Sequence, residues 1–253
     1  MGRWSWNKML RIQNLKKHFG GVRAVDGCSF EVKKGEITAL IGPNGSGKTT
    51  IFNLISGILK ADFGEVFLNK QKITNKKIYH ISNLGVSRLF QQARLFNNLT
   101  VRENLLLASN QEDTKFWKNL FFKNKIKKYK IDDLKRISKL VGIDGFQNKL
   151  ARNLSYGQKR LVGIARAILN YPKVLMLDEP VAGVNPLLRK RIAKILLQLK
   201  KQGETIFLIE HDMNFTLGIA DRVIVVDEGK IIAEGTPKQI KHNPKVLEAY
   251  LGE

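Results

Sequence analysis

Residues 42–50 have the side-chain types and the spacing of a phosphate-binding loop. They follow an apolar, β-rich run, match the pattern G-x-x-x-x-G-K-[ST] without a mismatch, and read Gly42, Pro43, Asn44, Gly45, Ser46, Gly47, Lys48, Thr49 and Thr50. In such a loop, backbone N–H groups surround phosphate oxygens, the lysine reaches the β- and γ-phosphates, and the first threonine hydroxyl ligates Mg²⁺. The alternative is a glycine-rich turn that binds nothing, which the preceding strand and following helix disfavour. The pattern predicts a nucleoside triphosphate site.

Two adjacent carboxylates, Asp178 and Glu179, follow the apolar run 174–177. Ligands of doubly wound sheets lie beyond the carboxyl ends of the strands, so these side chains are predicted to face the same site. Asp178 is suited to hold Mg²⁺, directly or through water, and Glu179 to orient and deprotonate an attacking water. The alternative is an N-cap pair for the next helix, although Pro186 is a better first residue for that helix.

A third segment, 154–158, reads Leu-Ser-Tyr-Gly-Gln and begins an amphipathic helix. Ser155 is an apt N-cap, so the segment alone indicates no more than a well-capped helix. A serine and a glycine at a helix start also form a surface that can face phosphate. A chain with one P-loop has a use for a second such surface only if another chain supplies the nucleotide.

Together these segments resemble the ATP-binding cassette (ABC) ATPases over nearly the whole chain. Segment 154–158 is similar to their signature sequence, with Tyr156 where many members have glycine, and 182–186 is similar to their dimer-contacting loop, with Asn185 where aspartate is usual. The resemblance implies Mg²⁺ and ATP as ligands and a head-to-tail dimer. It implies adenine stacking by Phe19, sensing of Mg²⁺ and γ-phosphate by Gln91, a γ-phosphate contact by His211, and contacts to the nucleotide of a second chain by Ser155, Gly157 and Gln158.

The segments at 155–158, 182–186, 209–213 and 243–253 resemble one subfamily, the ATPase subunits of branched-chain amino acid importers. This narrower resemblance implies transmembrane permease subunits as partners, a homodimer or a heterodimer with a paralogous subunit, and a periplasmic or extracellular solute-binding protein in the same system. It implies a peripheral location on the cytoplasmic face of the cell membrane, with 92–96 and the helical insertion transmitting closure. Importers of urea and other amides use similar subunits, so the solute stays open.

The composition limits which partners and functions are possible. The formal net charge is +22, with 44 Lys+Arg against 22 Asp+Glu, which fits either an anionic partner or a lysine-rich bias over solvated faces. A soluble cassette ATPase acting on nucleic acid or ribosomes is the alternative function, and the absence of a second cassette or a coiled-coil insertion disfavours it. One cysteine excludes a disulfide framework, and the four histidines lack metal-ligand spacing.

The order of predicted elements indicates an α/β fold. Strands alternate with helices, which predicts a mainly parallel sheet covered on both faces, and the resemblance implies a RecA-like P-loop NTPase core with an antiparallel β-subdomain and an inserted helical subdomain. We expect one domain at 10–253, with 10–99 and 154–253 as core and β-subdomain and 100–153 as helical subdomain. Segment 78–89 is ambiguous, the role of the lysine-rich segment 115–130 is open, and one helix is predicted over 237–250.

Overall fold

The computed structural model of the protein describes residues 8–90, 94–108 and 128–251. Gln91 and most of the lysine-rich segment 115–130 lie outside the described residues. The strands are β1 (Lys8–Phe19), β2 (Val22–Lys33), β3 (Ile37–Ile41), β4 (Phe63–Leu68), β5 (Gln71–Lys72), β6 (Val86–Leu89), β7 (Val174–Asp178), β8 (Ile206–Ile209), β9 (Arg222–Asp227) and β10 (Lys230–Gly235). The helices are α1 (Lys48–Ile55), α2 (Ile78–Asn83), α3 (Val101–Ala108), α4 (Lys128–Val141), α5 (Tyr156–Ile168), α6 (Pro186–Lys201), α7 (Met213–Ile219), α8 (Pro237–Lys241) and α9 (Pro244–Leu251).

A six-stranded sheet in the order β10-β9-β3-β8-β7-β6 forms the centre of the molecule. Five of its strands are parallel, and β10 pairs antiparallel with β9. Successive residues of the inner strands enter two different hydrophobic clusters: in β8, Ile206 and Leu208 face one cluster, and Phe207 and Ile209 face the other. Strands that are buried on both faces explain the continuous apolar runs in the sequence. The predicted α/β class with a parallel sheet is confirmed.

A second, antiparallel sheet has the order β2-β1-β4-β5. Gly20 and Gly21 form the turn between β1 and β2. The inward residues of this sheet share one hydrophobic cluster with helix α1 and with one face of the central sheet. The predicted antiparallel sheet therefore lies on the same side of the central sheet as the helix that follows the P-loop.

Helices α3 and α4 lie between the two halves of the central sheet in the sequence. Thr100 and Glu103 form a capping box at the start of α3: the Thr100 N–H donates to Glu103 Oε2 at 2.7 Å, and the Glu103 N–H donates to Thr100 Oγ1 at 3.2 Å. Three apolar residues at helical spacing along α4 are buried, and they are Leu134, Ile137 and Val141. They pack into the same cluster as helix α5, so this helical part is anchored to the signature helix.

Two boundaries differ from the sequence predictions. The ambiguous segment 78–89 divides into helix α2 and strand β6. The single helix predicted over 237–250 is wrong, because the chain forms α8 and α9 with a break at His242 and Asn243. Proline disfavours helical backbone at the residue before it, so Pro244 ends any helix that arrives from α8. Asn243 Oδ1 accepts a hydrogen bond from the Lys245 N–H at 3.0 Å and supports the new helix start.

Within the described ranges, none of the helices is both long enough and apolar enough to cross a membrane.

Candidate functional site

Three neighbouring parallel strands bring the predicted site residues to one edge of the central sheet. β3 leads into the P-loop, its neighbour β8 leads into Glu210 and His211, and β7 beyond it ends at Asp178 and Glu179. Parallel strands have their carboxyl ends at the same edge, which is where open α/β sheets bind ligands. Strand β6 borders β7 and ends two residues before Gln91, whose predicted contact to Mg²⁺ and γ-phosphate stays a prediction.

The first and last loop glycines are required by close backbone packing. A Cβ on Gly42 would lie 1.9 Å from the Val226 carbonyl oxygen, and one on Gly47 would lie 2.3 Å from the Ala24 carbonyl oxygen. Gly45 also has a positive φ of 79°, but nothing lies within 4 Å of its Cβ position. The outer glycines therefore seat the loop against β9 and β2, and Gly45 leaves its open side clear.

The N-terminus of helix α1 is suited to bind an anion. Its N-cap is Gly47, and no side chain caps the first turn. The backbone N–H groups at that end are therefore available to phosphate oxygens, with the positive end of the helix dipole behind them. The buried Lys48 Nζ donates to the carbonyl oxygens of Gly42 at 2.8 Å and Pro43 at 2.6 Å, so its charge lies within the loop. Asn44 and Thr49 are exposed, and Ser46 is buried.

Asp178 forms a buried ion pair that the sequence did not indicate. Arg88 Nη2 lies 2.7 Å from Asp178 Oδ2, and the two side chains are 5% and 9% exposed. Arg88 Nη1 also donates to Asn53 Oδ1 on helix α1 at 2.8 Å and to Ser56 Oγ, at the C-cap of that helix, at 2.9 Å. Burial lowers the pKa of the Arg88 guanidinium, and Asp178 opposes that effect. One buried cation thus joins β6, the P-loop helix and the predicted metal ligand.

Glu179 lies next to His211 and has a strained backbone. Its φ is +47°, which is uncommon for a residue with a Cβ and needs support from surrounding contacts. Glu179 Oε1 lies 4.0 Å from His211 Nδ1, so the two predicted catalytic side chains are neighbours. The buried Arg160 donates to the Glu179 carbonyl oxygen, and also to the carbonyl oxygens of Pro180 at 3.0 Å and Phe90 at 3.1 Å.

Glu210 supports the same turn from the other side. It is fully buried, and its Oε1 accepts a hydrogen bond from the Val181 N–H at 2.9 Å. Burial raises the pKa of Glu210 to about 7 against the lowering by the Val181 N–H and by His211. Arg88, Arg160 and Glu210 were missed because their partners are distant in sequence. For Arg88 and Glu210 the available signal was a charged residue inside or directly after an apolar strand.

The signature segment forms the predicted capped helix. Ser155 Oγ accepts from the Gln158 N–H at 3.2 Å, and Gln158 Oε1 accepts from the Ser155 N–H at 3.0 Å. Gln158 is therefore engaged in a capping box, while Ser155 and Tyr156 are exposed. The Tyr156 hydroxyl donates to the Ala182 carbonyl oxygen at 3.3 Å, which joins the signature to the loop at 182–186.

The remaining predicted residues lie on the surface or at a helix start. Phe19 ends strand β1 with about half of its side chain exposed (47%), and Lys17 Nζ lies 5.4 Å from its ring centroid. Gly157 packs against Leu188, since a Cβ there would lie 2.5 Å from Leu188 Cδ2. Asn185 caps helix α6 by accepting from the Leu188 N–H at 2.8 Å, which confirms the helix start predicted at Pro186.

The oxygen ligands at this edge suit Mg²⁺. In the part of the chain that the structure describes, no group of three or more His, Cys, Asp or Glu side chains could hold a metal. Mg²⁺ bound with a nucleotide needs no such group, because it uses one or two protein oxygens together with phosphates and water. The Thr49 hydroxyl and the Asp178 carboxylate are hard oxygen ligands of this kind, and the donor set fits the ion.

Comparisons with known proteins agree with this geometry. A family model described as "ABC transporter" matches residues 25–182, and one described as "Branched-chain amino acid ATP-binding cassette transporter" matches residues 230–253. The chain is 40% identical to the high-affinity branched-chain amino acid transport ATP-binding protein LivG of Salmonella typhimurium, covering 97% of this chain and 98% of that protein. It is also 40% identical to a probable LivG of Archaeoglobus fulgidus, covering 97% and 96%.

A solved ATP-binding cassette of an ABC transporter in its ADP conformation has the same fold, with a TM-score of 0.85 and 38% identity. The match covers 97% of this chain and 99% of that cassette. The chain therefore belongs to the ABC transporter family, as an ATP-hydrolysing subunit of the branch that contains the branched-chain amino acid transport ATP-binding proteins.

Proposed function

We propose that this ATPase subunit powers the import of branched-chain amino acids. Support for the solute comes from the full-length relatives, whose names specify branched-chain amino acid transport, and from the family match at residues 230–253. Support for the chemistry comes from one observation: the P-loop, His211 and the Asp178–Glu179 pair follow three adjacent strands. Residues 10–253 act in it as one ATPase domain, with 100–153 as the helical subdomain.

Within one chain, the site binds and activates ATP. The P-loop amides and Lys48 bind the phosphates, and Phe19 stacks on adenine. Thr49, Asp178 and Gln91 would hold Mg²⁺, which would supply positive charge to the β- and γ-phosphates. Glu179 accepts the proton of the attacking water.

A histidine and a second chain complete the site. His211, next to Glu179, stabilises the charge that develops on the γ-phosphate. Ser155, Gly157 and Gln158 of the second chain close on the γ-phosphate. The exposure of Ser155 at the start of helix α5 supports this trans role, because a partner surface can reach it. The second chain is another copy or a paralogous subunit.

Permease subunits respond to the closure of the two ATPase chains on ATP. They contact the segment 92–96 and the helical part that contains α3 and α4, which packs against the signature helix. In this proposal the protein acts on the cytoplasmic face of the membrane, and a periplasmic or extracellular solute-binding protein delivers the amino acid. Nucleic acid is not a partner in it.

Affinity purification from detergent-solubilised membranes tests this function. The Glu179→Gln variant with ATP is used as bait, and permeases that co-purify are reconstituted with their solute-binding protein and the wild-type chain. We expect leucine, isoleucine or valine to stimulate ATP hydrolysis and Lys48→Ala to abolish it. Stimulation by urea instead reassigns the solute. Co-purification of RNA without permeases supports the nucleic-acid alternative and contradicts the import function.

A further inference from the structure

Arg88 is buried against Asp178, which holds Mg²⁺ in our proposed function. Its guanidinium contacts Asp178 Oδ2 at 2.7 Å, and both side chains are less than one-tenth exposed. The contacts from Arg88 Nη1 to Asn53 and Ser56 fix the guanidinium against helix α1. Its Cζ also lies 4.8 Å from the Phe90 ring centroid and 5.5 Å from that of Phe52. The cation cannot leave Asp178 without giving up these contacts.

Two cations at one buried carboxylate compete electrostatically. The attraction between unlike charges is several times stronger near or below a protein surface than in water, and the repulsion between like charges grows equally. A divalent ion that approaches Asp178 therefore meets a carboxylate whose charge Arg88 already balances. Phosphate oxygens of a bound nucleotide add the negative charge and the ligands that this pair lacks.

We propose that Arg88 is the resident counter-cation of Asp178, and that it makes divalent-cation binding at this carboxylate depend on bound nucleotide. The inference rests on the proposed function, in which Asp178 holds Mg²⁺. Arg88 is a positioning residue in this scheme, because it acts on the metal through Asp178. Its physical consequence is that the nucleotide-free cassette does not retain a metal ion at Asp178.

Binding of Mn²⁺ without nucleotide, followed by the electron paramagnetic resonance signal of the free ion, tests the proposal. Arg88→Met removes the charge and keeps an unbranched side chain. We expect its Mn²⁺ affinity to exceed that of the wild type by about ten-fold. Arg88→Lys keeps the charge, so its affinity should stay within about two-fold of wild type. The matched control is Arg222→Met, which breaks the Arg222–Glu234 pair of 2.7 Å at the distant β9–β10 edge.

Two further variants keep the result interpretable. Arg88→Gln retains hydrogen-bond donors for Asn53 and Ser56 without the charge, and the same gain is expected if Arg88→Met folds poorly. Adding Asp178→Asn to either variant should remove the gain in Mn²⁺ affinity. Unchanged Mn²⁺ affinity in folded Arg88→Met and Arg88→Gln overturns the role of Arg88. If Asp178→Asn does not weaken Mn²⁺ binding in the presence of ATP, the proposed metal site itself is wrong.

Discussion

Replacing Glu210 by glutamine removes a buried ionisable group while nearly preserving its shape. Glu210 is fully buried, and burial raises the pKa of its carboxyl from 4.5 to about 7. The glutamine oxygen can still accept the hydrogen bond that Val181 N–H donates at 2.9 Å. The variant therefore isolates the free energy of ionising a carboxyl at this position. Three charged or titratable groups face it, and they are His211, Glu179 and Arg160.

The sign of the pH effect follows from the two pKa values. Between pH 4.5 and about 7 the folded protein keeps a proton on Glu210 that the unfolded chain has lost. The contribution of Glu210 to the stability of the wild type therefore falls as pH rises through this window and stays lower above it. At about 1.4 kcal/mol for each pH unit, the full cost is about 3 kcal/mol, and most of it develops between about pH 5 and about pH 8.

Urea unfolding of wild type and Glu210→Gln at about pH 5 and about pH 8 measures this effect. We expect the variant to gain about 2 to 3 kcal/mol relative to wild type between the two conditions. Repeating both measurements in a His211→Gln background removes the neighbouring histidine. A difference between variant and wild type that does not change with pH refutes the assignment of a raised pKa to Glu210.

Three further predictions test the site. Glu179→Gln should abolish ATP turnover, keep ATP affinity and favour a stable dimer in size-exclusion chromatography with ATP; retained hydrolysis removes Glu179 from the role of base. Ser155→Arg should reduce steady-state hydrolysis with little change in the ATP affinity of the monomer, whereas an equal loss of binding argues that the signature acts within its own chain. Gly47→Ala should cost about 3 kcal/mol or more in denaturant unfolding, because its Cβ would lie 2.3 Å from the Ala24 carbonyl oxygen, and Gly45→Ala should cost about 1 kcal/mol; equal costs contradict the packing argument.

Local patterns predicted most of the elements because their causes are local. The P-loop needs consecutive residues, and the capping boxes at Thr100 and Ser155 span four residues each, so a short window of sequence contains them. The sequence alone could also have predicted the break before Pro244, since proline disfavours helical backbone at Asn243. The error there came from following the apolar spacing across a residue that breaks helices.

Buried ion pairs and backbone contacts could not be predicted in this way. Arg88 and Asp178 are 90 residues apart, and they meet only because β6 and β7 are neighbours in the sheet. The strand order itself is not encoded in any window of sequence. Arg160 was predicted merely as part of an amphipathic helix, yet it reaches the turn after β7. Side chains of this kind become visible only once the topology is known.

Two buried ionisable residues, Arg160 and Glu210, contact the same turn after β7. Burial lowers the pKa of Arg160 and raises that of Glu210, so each ionised group is destabilised where it lies. Both residues hold the backbone of this turn: Arg160 donates to the carbonyl oxygens of Glu179 and Pro180, and Glu210 accepts from the Val181 N–H. Glu179 has a left-handed φ that a side chain seldom adopts without such support. Burying Arg160 and Glu210 therefore costs stability, but the two side chains fix the backbone of the turn that carries Glu179, the predicted base. The stability that Glu210→Gln is expected to recover is the part of this cost that comes from the charge of Glu210.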